Sequence, residues 1–188
     1  DPKYHQMGLA GSRAVAVIRE GVAQRLERVA AALPDAMTLV VWDAWRSFET
    51  QQALYESWMA ELARIHTTWS QEVLHRETSR YVSVPSVDPR YPAPHVTGGA
   101  IDLTLGDGDG VPLDLGTDFD AFVPEAGAAS LERVDCAARR HRRLLFWAMA
   151  EQGFTAYVEE WWHFDFGDQF WGSITGNPAR YGPVGPVE

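Results

Sequence analysis

Apolar residues recur three or four positions apart from Arg13 to Leu33, at Val15, Ile18, Val22, Leu26, Val29 and Leu33. That is one face of an amphipathic helix, with Ser12 placed to cap it and Pro34-Asp35 to break it. Thr38 to Trp42 reads as a short buried strand. A second helical stripe, Leu54, Trp58, Leu62, Ile65 and Trp69, predicts a helix over Phe48–Val73, and Tyr81–Val84 could be another strand. Further on, Ile101, Leu103 and Leu105 alternate with Asp102 and Thr104, so the aspartate faces away from the apolar side of a strand. GDGDG at Gly106–Gly110 predicts a hairpin into Val111–Leu113. Leu131–Gln152 reads as a third long helix ended by Gly153, followed by a strand over Phe154–Val158. Between these elements, Ser86–Pro94, with three prolines in nine residues, and Thr117–Ala129 read as loops. Residues 1–12 show no period and read as an arm, and 176–188 as a Pro/Gly-rich tail over the surface.

At 188 residues the chain fits one domain. Eight Trp among 12% aromatics point to a substantial core or a walled pocket. A net charge of −10 argues against nucleic acid and anionic membranes as partners, and no apolar run is long enough to span a bilayer. Cys136 is the single cysteine, which excludes an internal disulfide and a thiolate zinc cluster. It falls within the third helix and reads as a buried small residue. A reducing, cytoplasmic setting is expected, although a removed leader would leave the same sequence.

The chemistry concentrates in two stretches. PHVTGGAIDLTL, Pro94–Leu105, places His95 seven residues before Asp102 with Gly98-Gly99 between them, so that a turn can bring both side chains to one point. VEEWWHFDF adds His163, with Glu160 three residues before it. Two imidazoles and one carboxylate suit a catalytic zinc with a position left open for water. An offset of three would put Glu160 and His163 on opposite faces of an unbroken strand. A turn or bulge is therefore expected at Trp161–Trp162, with the strand proper starting near His163. Glu160 could then serve as general base without being a ligand.

Together with VVWDAWRSFETQ, these stretches resemble the zinc D-alanyl-D-alanine dipeptidases of the VanX type, over about Leu39 to Phe166. The resemblance implies Zn²⁺ held by His95, Asp102 and His163, and it selects Glu160 over Glu159 as the base. It implies that Arg46 stabilises the oxyanion on the scissile carbonyl; read alone, Arg46 could be a surface arginine paired with Asp43. It also implies that Asp120, in LGTDFDAF, receives the substrate's ammonium, with Asp118 an alternative two residues earlier. Ala93 stands where the family usually has serine and Ser47 where it often has proline, both on the substrate-recognition side. His5, His66, His75 and His141 have no matching partners and read as structural or surface residues. Asp107 and Asp109 read as turn residues, far short of a calcium cage.

The expected whole is one α+β domain over 1–188, a mainly antiparallel sheet flanked by helices with zinc at one face. By resemblance its partner is a small dipeptide with free termini, D-Ala-D-Ala first. The alternatives are a D,D- or L,D-carboxypeptidase acting on cell-wall peptides, an enzyme retargeted to another dipeptide or amide, and a non-catalytic zinc-bearing interaction domain. Retention of Glu160 and Arg46 counts against the last.

Overall fold

The computed structural model describes residues 1–185; the last three residues of the expected tail lie outside the described residues. In chain order the elements are α1 (Lys3–Gln6), α2 (Glu20–Ala32), β1 (Met37–Asp43), α3 (Phe48–Ile65), α4 (Gln71–Thr78), β2 (Ala100–Asp107), α5 (Ala137–Glu151), β3 (Thr155–Ala156), β4 (His163–Asp165) and α6 (Gln169–Thr175). The sheet runs β1-β2-β4-β3, every neighbouring pair antiparallel. This is the α+β arrangement expected, with helices packed on an antiparallel sheet.

The alternation in β2 divides the sheet's two faces. Leu39 and Val41 of β1 lie opposite Leu105 and Leu103, and in an antiparallel pair opposed residues share a face. Ile101, Leu103 and Leu105 are fully buried in one cluster with Val22, Leu26 and Val29 of α2 and Leu145 and Met149 of α5. Burial of each such side chain favours folding by about 1.5–3 kcal/mol. Asp102 and Thr104 face the other way, and they too are buried, at 2% and 0% exposure. Asp102 thus lies beneath the loops that cover the second face, not on an open surface.

Several boundaries differ from expectation, each for a local reason. The first long helix begins at Glu20, because the backbone before it is engaged elsewhere: Val17 accepts from the Trp45 N–H (2.7 Å) and Arg19 donates to the Gly98 carbonyl (3.2 Å). The stripe over 48–73 is two helices, because Ser70 caps a new one by accepting from the Val73 N–H. The third long helix starts at Ala137, capped by Cys136, whose sulfur accepts from the Arg139 N–H; that cysteine is half-buried. Tyr81–Val84 forms no strand, and the strand after Gly153 shrinks to Thr155–Ala156. After β2 the hairpin is reduced to one bridge, Gly106 to Pro112, with Asp107 accepting from the Asp109 and Val111 N–H groups. The N-terminal arm is not loose: α1 buries Tyr4 to 3% exposure. At the other end the tail runs over the body, where Val184 donates to the Val96 carbonyl.

Candidate metal centre and active site

Strand register sets the floor of the site. Asp102 at mid-β2 lies opposite His163, the first residue of β4, and opposite Asp43 of β1, where an irregularity between Val41 and Asp43 turns that carboxylate onto the same side. Trp161-Trp162 forms a turn and β4 begins at His163, as the odd spacing from Glu160 required. His95 arrives on a single helical turn, His95–Thr97, that ends on Gly98 in the left-handed conformation (φ 70°), where glycine carries no steric cost. Gly99 must also lack a side chain, since a Cβ there would lie 2.7 Å from the Phe166 carbonyl oxygen.

His95, Asp102 and His163 converge. The inner nitrogens, His95 Nε2 and His163 Nδ1, are 3.3 Å apart, and Asp102 oxygens lie 3.4 and 2.9 Å from them. Tetrahedral donors on bonds of about 2.0–2.1 Å would be roughly 3.3–3.4 Å apart, so these separations fit a zinc-sized ion. The outer nitrogens are tied: His95 Nδ1 to the Ala44 carbonyl at 2.7 Å, His163 Nε2 to Asp165 Oδ1 at 3.0 Å. A neutral ring donating through its outer nitrogen offers only a lone pair at the inner one. Three electron-rich donors then face one point, an arrangement that calls for a cation.

The charges agree with that reading. Burial would lower the His163 pKa, but Asp165 and Asp102 outweigh it and raise it well above the ordinary range. Burial would likewise raise Asp102, yet His95 and His163 hold its carboxyl far below the usual carboxylate values. A metal binding here must displace any proton held at His163 Nδ1.

Around this centre stand the other groups. Glu160 is buried at 6% exposure, and burial, reinforced by the Asp102 and Asp120 charges, raises its pKa well above the usual value; His163 and Arg46 act the other way. Glu159 is more exposed and pairs with Arg80 at 3.4 Å. Arg46 is buried, not superficial. It meets Asp43 at 2.8 Å as one reading of the sequence allowed, and also Gln51 at 2.9 Å and Asp102 at 3.5 Å. Burial works against its charge, but Tyr4 and the carboxylates of Asp43, Asp102 and Asp120 outweigh that and raise its pKa. Asp120 has φ +57°, the only non-glycine residue with positive φ among the described residues. Burial and the Asp102 charge push its carboxyl up to about 7. Asp118, the alternative, is exposed. One cleft is lined by His95, Asp102, His163, Glu160, Arg46 and Asp120 together.

Two residues here, Tyr4 and Asp165, had no role in the sequence reading, and a third, Asp43, had a lesser one. Tyr4 donates its hydroxyl to Asp120 Oδ2 (2.9 Å), and its ring lies under the Arg46 guanidinium at 4.7 Å. A four-residue helix shows no periodicity, so no pattern marked it. Asp43, considered only as a partner for Arg46, also approaches His95 Nδ1 at 3.4 Å. Asp165 had a usable signal: at two residues from His163 on a strand, it shares that side of the sheet. The remaining four histidines lie elsewhere, His5 exposed on α1, His75 against the Tyr55 hydroxyl, His66 stacked on Trp69 and His141 on the Asp114 carbonyl.

Several known proteins are similar to this chain. A D-alanyl-D-alanine dipeptidase of Synechocystis sp. is 30% identical over 89% of this chain and 76% of its own length. The Escherichia coli protein of that name is 30% identical over 78% of this chain and 64% of its own. That of Enterococcus faecium is 28% identical over 70% and 63%. The chain therefore spans about two thirds to three quarters of these relatives. Among solved structures, VanYB in complex with D-alanine-D-alanine superposes with TM-score 0.52 at 17% identity, covering 86% of this chain and 80% of the other. A zinc-bound mutant of the vancomycin-resistance D,D-pentapeptidase VanY gives 0.50 at 17%, covering 79% and 72%. Both are likenesses of fold. The family model described as D-ala-D-ala dipeptidase matches residues 9–179, nearly the whole chain, and the protein belongs to that metallopeptidase family.

Proposed function

We propose that this chain is a zinc-dependent hydrolase of small dipeptides with both termini free, D-Ala-D-Ala first among them. The observation that carries the reading is a three-donor centre sharing one cleft with a raised carboxyl, a fixed cation and a second, separate carboxylate. His95 Nε2, Asp102 and His163 Nδ1 would hold the metal. Zinc, when bound, supplies the Lewis acidity that makes water nucleophilic at neutral pH and polarises a peptide carbonyl. Glu160 takes a proton from the attacking water and hands it to the leaving amine, a two-way task that suits a carboxyl raised by burial. Arg46, pinned by Asp43 and Gln51, presents a fixed cation to charge that develops only in the transition state.

Asp120 receives the substrate's ammonium; the Tyr4 hydroxyl orients it, and the Arg46 charge favours its ionised form. Residues 1–188 act as one unit in this reading, since α1 contributes Tyr4 to the cleft. The Tyr4–Asp120 pair closes the amine end, which favours a dipeptidase over a carboxypeptidase that must leave that end open. VanYB, a relative in fold, has been seen with D-alanine-D-alanine, which supports the same ligand here. Ala93 is buried at 2% and offers no hydroxyl, so recognition of the carboxylate end relies on other groups.

The test is a screen of zinc-loaded protein against free, N-blocked and C-blocked dipeptides of both chiralities. Turnover of free D,D-dipeptides with N-blocked ones cleaved far more slowly is the expected result. Equal cleavage of N-blocked peptides would move the carboxypeptidase reading ahead.

A further inference from the structure

Away from the metal, Arg142 of α5 is a buried cation at 5% exposure that the proposed reaction does not use. Its guanidinium donates to four acceptors: Leu115 O (2.6 Å), Gly127 O (2.8 Å), Ser130 Oγ (2.9 Å) and Glu125 O (3.0 Å). All four belong to the segment 115–130, one before Asp120 and three after it, so the fork ties both sides of the loop that carries that residue. None is a carboxylate, and burial pulls the arginine's pKa down to about 10, so it remains charged at neutral pH. Burying a cation against neutral carbonyls is costly, and an apolar side chain would fill the space without that cost. What the arginine adds is a planar fork that fixes several backbone carbonyls at once.

The same fork lies 5.6 Å from the Trp161 ring, next in sequence to Glu160. Trp161 is itself bonded to the loop, through Nε1 to Thr117 Oγ1 (2.8 Å) and through its N–H to Ala126 O (3.0 Å). Asp120 meanwhile occupies a left-handed conformation that few non-glycine residues adopt, so its surroundings must hold it there.

We propose that Arg142 is a positioning residue for the amine end of the cleft: it staples the two ends of segment 115–130 and thereby fixes the Asp120 carboxylate relative to Glu160. The inference rests on the reading in which Asp120 receives the substrate's ammonium.

Arg142→Lys keeps the charge and loses the fork. Zinc content should be unchanged. The kcat/KM for free D-Ala-D-Ala should fall about 10- to 100-fold, the scale of a misplaced binding group. N-acetylated dipeptide should lose far less, so the preference for a free amine shrinks, which a general loss of structure would not produce. In a double-mutant cycle, Arg142→Lys should add little to Asp120→Ala, since both act on one contact. Equal losses for free and blocked substrates, or additive losses in the cycle, would overturn the proposal. If Asp120→Ala alone leaves the preference intact, the amine reading itself fails and the staple has nothing to position. If Asp120→Ala removes the preference and Arg142→Lys does not, only the staple is wrong. Should Arg142→Lys not fold, Ser130→Ala removes one acceptor of the fork and goes through the same cycle; an unchanged preference there also overturns the proposal.

Discussion

Asp165→Ala tests how the metal centre is built. The Asp165 carboxylate, 1% exposed, accepts from His163 Nε2 at 3.0 Å and so leaves the ring's lone pair on Nδ1, facing His95 and Asp102. Without it the ring can carry its proton on Nδ1, where Asp102 Oδ1 waits 2.9 Å away, and that proton competes with the metal. A hydrogen bond to a buried charged group contributes about 1.5–3 kcal/mol. Outer partners of metal-bound histidines typically contribute 10- to 100-fold in affinity, or about 1.4–2.7 kcal/mol, and the two figures agree. Zinc affinity should therefore fall by roughly 10- to 100-fold. Asp165→Asn, whose amide oxygen can still accept the Nε2 proton, should lie between. Competition with a chromophoric chelator at fixed pH measures the constants, and near-ultraviolet circular dichroism checks the fold. If the alanine variant binds zinc within twofold of the parent, Nδ1 is not the ligand atom and the centre has been assembled wrongly.

Three other outcomes follow from the geometry. Glu160→Gln should keep zinc and lose about 10²–10⁴ in kcat, while Glu159→Gln, at the Arg80 pair, should stay near parental rates; steady-state kinetics with metal analysis separates them, and the reverse pattern would exchange the two acids. Because burial and the Asp102 charge raise the Asp120 carboxyl to about 7 and it must ionise to receive the ammonium, log kcat/KM for free dipeptides should climb with pH through about 7; in Asp120→Asn that limb should be lost, and an unchanged profile would count against Asp120. Gly99→Ala forces a Cβ to 2.7 Å from the Phe166 carbonyl oxygen and should lower stability by about 1–3 kcal/mol in thermal unfolding; an unaltered Tm would mean the approach of the His95 turn to β4 is looser than described.

Much of this was legible in the chain because it depends on short-range spacing. Strict alternation at Ile101, Leu103 and Leu105 identified β2 and put Asp102 on the opposite side, since side chains on a strand alternate whatever surrounds it. The odd step from Glu160 to His163 required a break, and the turn at Trp161-Trp162 provides it. Helix boundaries were less legible: the apolar stripe runs through residues 13–19 and 66–70, where backbone pairing to Trp45 and Gly98, or the cap at Ser70, ends the helix regardless of periodicity.

Tertiary structure alone decided what converges. Antiparallel register, a property of three strands and not of any one, sets Asp43, Asp102 and His163 in a row. Tyr4 lies 116 residues from Asp120 and 42 from Arg46 and meets both, from a four-residue helix with no pattern of its own. A local sequence specifies the direction in which a side chain leaves its own backbone. Which distant carboxylate it then meets, and how far burial moves that group's pKa, depends on how the elements pack, and no spacing along the chain encodes it.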